Sequence, residues 1–79
     1  MKVLILGAGR VGGNLARALV NNNYDVALID QDKNALGVLE EKLDIMTIEG
    51  HASHPLSIKK SGADESTTVI AVTSNDEVN

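Results

Sequence analysis

Four short aliphatic runs, separated by amphipathic or polar stretches, organise the chain. The first, Val3 to Leu6, has no alternation that would leave one face wet, which predicts a strand covered on both sides. Gly7, Gly9 and Gly12 follow at once. Beyond them Val11, Leu15, Ala18 and Leu19 recur at helical spacing, with Asn14 and Arg17 facing away, so an amphipathic helix is expected. Asn21, Asn22 and Asn23 close it, because asparagine disfavours helix interiors and tolerates the left-handed conformation. A second aliphatic run, Val26 to Ile29, then ends at Asp30. Tyr24, just ahead of it, is expected at the sheet edge with its hydroxyl in water.

Asp32 can cap the next helix, whose buried stripe is Leu36, Leu39 and Leu43 and whose wet face is Glu40, Glu41 and Lys42. Gly37 costs this helix ~1 kcal/mol relative to alanine, so close packing against a neighbour is expected there. Ile45 to Ile48 form a third strand, shortened and interrupted by Thr47, as suits a sheet edge. Pro55 starts a short third helix, with Leu56 and Ile58 or Lys59 divided between core and water, and Gly62 ends it. Thr68 to Val72 is the fourth strand, with an open edge that a dimer mate could cover. Strands alternating with helices imply an α/β, Rossmann-like parallel sheet of order 3-2-1-4 with helices on both faces. Ser74 and Glu77 have capping-box spacing, the opening of another helix, yet the sequence stops at Asn79. The expectation is a fold truncated after its fourth strand.

The glycines change this picture from scaffold to site. Gly-x-Gly-x-x-Gly directly after a strand is the turn at which a dinucleotide meets this fold. Gly7 gives the tight exit, Gly9 lets the backbone approach a pyrophosphate, and Gly12 lets the helix pack closely. The amides opening the helix, with its dipole, can hold phosphates without a lysine. Asp30 lies eighteen residues beyond Gly12, near the ~20 expected of a ribose-binding acid. A carboxylate there accepts both ribose hydroxyls and repels a 2′-phosphate, which favours NAD over NADP. His51 and Ala52 follow the third strand and border the adenosine half, with Gly50 and Ala52 small enough to admit an adenine ring. His51 is better read as a hydrogen-bonding loop histidine than a catalyst, and His54 as inert. Thr73 and Ser74, after the fourth strand, can line the same cleft with hydroxyls and amides.

Composition narrows the alternatives. At 79 residues there is room for one small domain. With one Tyr and no Phe or Trp, the core must be built from Val, Leu, Ile and Ala. The absence of cysteine excludes disulfides and thiolate chemistry. A net charge of −4 argues against a nucleic-acid partner. No stretch approaches the ~20 apolar residues of a membrane span, so direct membrane insertion is not expected.

The opening MKVLILGAGRVGGNLA, the LID of Leu28 to Asp30, the EGHASHP of Glu49 to Pro55 and the closing AVTSNDEVN together resemble the RCK/KTN family of potassium channel and transporter regulators. The likeness spans the whole chain and lies with the bacterial Trk branch, which has Gly-His-Ala where many RCK domains carry Gly-Asp-Ala after the third strand. It implies that residues 1–79 are the amino-terminal part of an RCK dinucleotide-binding domain. It also implies a cytoplasmic regulatory subunit, peripheral on the inner membrane face, docked on a membrane potassium-translocating Trk subunit. Homo-oligomers through paired RCK domains are implied, as is binding of NAD or NADH, with ATP or ADP using the same cleft in some members. Residue by residue, Gly7, Ala8, Gly9, Arg10, Val11 and Gly12 match the phosphate-binding turn, and Asp30 the ribose acid. His51 and Ala52 match the adenosine-side loop, and Thr73 and Ser74 the floor after the fourth strand. No catalytic or metal-ligating set accompanies them, so a non-catalytic regulator is expected. The alternatives are the cofactor-binding piece of an NAD-dependent dehydrogenase or reductase, and an interaction module that kept the fold without the ligand.

Overall fold

A computed structural model describes residues 1–7, 9–51 and 54–72, with Arg10 in backbone only. The elements run β1 (Lys2–Leu6), α1 (Gly9–Asn21), β2 (Asp25–Asp30), α2 (Lys33–Lys42), β3 (Met46–Glu49), α3 (Pro55–Lys60) and β4 (Thr68–Ala71). The four strands form one sheet in the order β3-β2-β1-β4, every pairing parallel. The α/β, Rossmann-like reading of the sequence is therefore the observed architecture.

The unbroken aliphatic runs are explained by the two faces they serve. Val3 and Ile5 of β1, with Val26 and Leu28 of β2, join Ala16 and Leu36 in the core beneath α1 and α2. The alternate residues Leu4, Ala27, Ile29 and Ile48 form a second cluster, against which Ile58 of α3 and Ala63 pack. Leu4, Ile5, Leu28 and Ile29 are fully buried, each contributing about 1.5–3 kcal/mol of apolar transfer. The parallel crossovers need helices on both sides, and those helices remove both faces of β1 and β2 from water.

Local chemistry sets the ends. Asn22 Nδ2 donates to the Ala18 carbonyl at 2.8 Å, and Asn23 turns the chain at φ +67°. Asp32 caps α2 by accepting from the amides of Asn34 and Ala35 at 3.0 and 3.2 Å, worth about 1 kcal/mol. Gly62 leaves α3 at φ +77°.

Several sequence expectations shift. On α1, Val11 is 64% exposed and Ala18 lies in water, whereas Gly12, Gly13 and Ala16 are buried. The helix lies so close to the sheet that small residues occupy its inner face, and Leu15, Leu19 and Val20 fill its flanks. β3 begins one residue later than expected, at Met46, because the Ile45 amide donates a hydrogen bond to the Leu43 carbonyl and holds that residue in a turn. On α3, Leu56 faces water and Ser57 is buried. Tyr24 is partly exposed ahead of β2, an interior strand, rather than at a sheet edge. A Cβ on Gly37 would meet nothing within 4 Å, so close packing is not the reason for that glycine.

Candidate functional site

The carboxyl ends of the parallel strands share one rim of the sheet, where a doubly wound fold places its ligands. Two sequence-separated groups meet there. Leu6 is in register with Ile29, so Gly7 and Asp30, each one residue further on, emerge from neighbouring strands at the same level. Adjacent strands lie about 4.8 Å apart. The Gly7 amide donates to the Ile29 carbonyl at 2.8 Å, which ties the turn to β2.

The three glycines have different tasks. Gly7 has φ +112°, and the Val72 carbonyl oxygen stands where a Cβ would be. A Cβ on Gly12 would strike the Gly7 carbonyl oxygen, so the first turn of α1 rests directly on the end of β1. Gly9, at φ +43°, has nothing within 4 Å of its missing Cβ. Two glycines are thus consumed by internal contacts, while the third presents bare backbone to open space. Bare backbone at the start of a thirteen-residue helix with no acid in its first turn suits an anion, because the first amides of a helix have no intrahelical partner.

Asp30 is half-buried at the end of β2. Its Oδ1 accepts from the Asp32 amide at 2.7 Å, and its carbonyl accepts from the Gly50 amide at 3.0 Å. The loop after β2 and the loop after β3 are therefore both anchored on this residue. His51 is exposed, and its carbonyl accepts from the His54 amide at 3.0 Å. Gly50 is small for an internal reason: a Cβ there would lie 2.5 Å from Oγ of the buried Ser57. His54 has a structural task, since its Nδ1 accepts from the Leu56 amide at 3.3 Å and caps α3. Ala8, Ala52, Thr73, Ser74 and the Arg10 side chain lie outside the described residues. Val11 is exposed on the first turn of α1.

Sequence reading missed Glu49. It is the register partner of Asp30 on β3, and it lines a cavity of 560 Å³ with Lys33, Asn34 and Gly37 of α2. The signal was present as a second carboxylate ending an aliphatic strand. Among the described residues no cluster of three or more His, Cys, Asp or Glu side chains could hold a metal ion, and no helix is long and apolar enough to cross a membrane. Backbone donors beside a strand-end carboxylate suit the binding of phosphates and vicinal hydroxyls.

Comparison with known proteins agrees with this geometry. The TrkA-N domain family matches residues 3–79. The Trk system potassium uptake protein TrkA of Vibrio alginolyticus is 44% identical over all of this chain and 17% of its own length. That of Halomonas elongata is 43% identical over the same shares. A TrkA homolog of Archaeoglobus fulgidus is 38% identical over all of this chain and 18% of its own length. The chain thus spans less than a fifth of these relatives. With its four-stranded parallel sheet and glycine turn, it belongs to the TrkA-N domain family.

Proposed function

We propose that residues 1–79 are the amino-terminal part of an RCK/KTN dinucleotide-binding domain, a non-catalytic regulator of a potassium uptake system. NAD or NADH is the ligand, with ATP or ADP able to take the same cleft. Gly7, Ala8, Gly9, Arg10, Val11 and Gly12 receive the phosphates. Asp30 accepts the adenosine ribose hydroxyls, His51 and Ala52 border the adenine, and Thr73 and Ser74 complete the floor. The observation that carries this is the register that brings Asp30 level with Gly7 on the adjacent strand, together with the open space at the Cβ position of Gly9. NAD supplies a redox-sensitive ligand; the chain's own residues bind and orient it.

The whole protein acts in the cytoplasm, peripheral on the inner membrane face, as a homo-oligomer of paired domains docked on a potassium-translocating Trk subunit. The names of the relatives support that partner. A ligand that favours one arrangement of the paired domains shifts the transporter by its differential affinity for the two states. Titration of the purified domain with NADH, NADPH and ATP tests the site. Asp30→Ala should weaken NADH binding by about tenfold, the loss of a charge-assisted hydrogen-bond pair. An unchanged titration removes Asp30 from the site. Steady cofactor turnover by the full-length protein would defeat the regulatory role, and ligand-dependent docking on the transporter would support it.

A further inference from the structure

We infer that Glu49 is a second determinant of dinucleotide choice, acting with Asp30 to exclude a ligand that carries a 2′-phosphate. This rests on the dinucleotide site proposed above. Asp30 and Glu49 are register partners on neighbouring parallel strands. Residues in register project to the same side of a parallel sheet, and for β3 that side is fixed by Thr47, two residues earlier, whose hydroxyl donates to Glu40 of α2 at 3.1 Å. Glu49 therefore stands with Asp30 on the side covered by α2, and its side chain lines the cavity between α2 and β3.

Lys33, the first residue of α2, lines the same cavity. Among the described residues it is the cation lining this cavity, and so one that would attract a 2′-phosphate there. Asp32 does not line this cavity; its carboxylate accepts from the Asn34 and Ala35 amides as the cap of α2. Glu40 and Glu41 also line the cavity, but they lie about 10 Å further along the helix axis. Glu49 thus does two things at the ribose corner: it repels a phosphate dianion and it compensates the charge of Lys33. Removing Asp30 alone leaves that second barrier in place. A single strand-end acid is the usual discriminator; here two adjacent strands each supply one.

The test compares NADH and NADPH binding by calorimetry at low, fixed ionic strength. It uses the unaltered chain, Glu49→Gln, and Glu49→Gln combined with Lys33→Gln. Glu49→Gln should lower the preference for NADH over NADPH by about tenfold, chiefly through tighter NADPH binding. The added Lys33→Gln should cancel most of that gain, and high salt should shrink it. An unchanged preference in Glu49→Gln, or equal loss of both ligands, overturns the role of Glu49 while leaving the NADH site standing. Failure of the unaltered chain to bind either dinucleotide overturns both. A gain that survives Lys33→Gln and high salt also overturns the inference, because the effect would then not be electrostatic.

Discussion

The carbonyl oxygen of Val72 occupies the position that a Cβ on residue 7 would take. Gly7 is therefore fixed by the end of the fourth strand as well as by its own φ of +112°. The Val72 amide in turn donates to the Leu6 carbonyl at 2.9 Å. Gly7 and the end of the last strand are thus held against each other by a hydrogen bond and by the volume they share.

Gly7 and Gly9 should respond differently to the same substitution. Gly7→Ala forces both a backbone shift and a left-handed alanine, and should cost at least ~2 kcal/mol of stability. Gly9→Ala meets open space and should cost only about 1 kcal/mol. Its methyl group would stand between ligand and backbone, weakening NADH binding by about tenfold or more. Denaturant unfolding and NADH titration of both variants check this. Equal destabilisation by the two would refute the division of labour.

Gly37→Ala should stabilise the chain. The position is inside α2, its φ is not in the left-handed region, and nothing lies within 4 Å of the added atom. The gain is ~0.5–1 kcal/mol from the entropy of the unfolded chain, or roughly 3–6 °C in Tm for a domain of this size. A lower Tm in thermal melts would show that the space beside α2 is needed by something else.

Asp64 should give the fold an acid-sensitive increment. Its carboxyl is held below the 3.8 of an unperturbed aspartate, first by the Ser66 hydroxyl and then by the Ser66 amide, with Thr67 and the charge of Lys2 assisting. The Ser66 bonds are 2.7 and 2.9 Å long. A depressed carboxyl stabilises the fold fully above its unfolded pKa, and that stabilisation is lost as pH falls through the folded value. The stability gap between the natural chain and Asp64→Asn should therefore narrow as pH drops below 3.8. Urea midpoints measured across the acid range check it; a gap independent of pH would assign the loop to neutral hydrogen bonding alone.

Much of the candidate site's framework was legible because its parts are local. The strand, the glycine spacing and the acid ending the next strand sit within thirty residues, and each has a backbone reason to be what it is. Glu49 was not legible in the same way. Its partnership with Asp30 is a matter of register between β2 and β3, joined through α2, and no short-range pattern states which residues a crossover will align. The α1 stripe held at Leu15 and Leu19 but failed at Val11 and Ala18 for a related reason. Apolar spacing identifies the greasiest face, but the sheet selected the smallest one, Gly12, Gly13 and Ala16.

Sequence alone determined the order of elements, the parallel α/β class, the glycine turn and the acid at residue 30, because periodicity, caps and φ requirements act over a few neighbouring residues. Tertiary structure decided what each glycine is for. Gly7 yields to Val72, Gly12 to the Gly7 carbonyl and Gly50 to Ser57, while Gly9 alone among these four faces open space. It also decided that Asp30 and Glu49 stand side by side. Those relationships arise where distant segments exclude one another's volume, and volume exclusion is settled only once the chain has closed on itself.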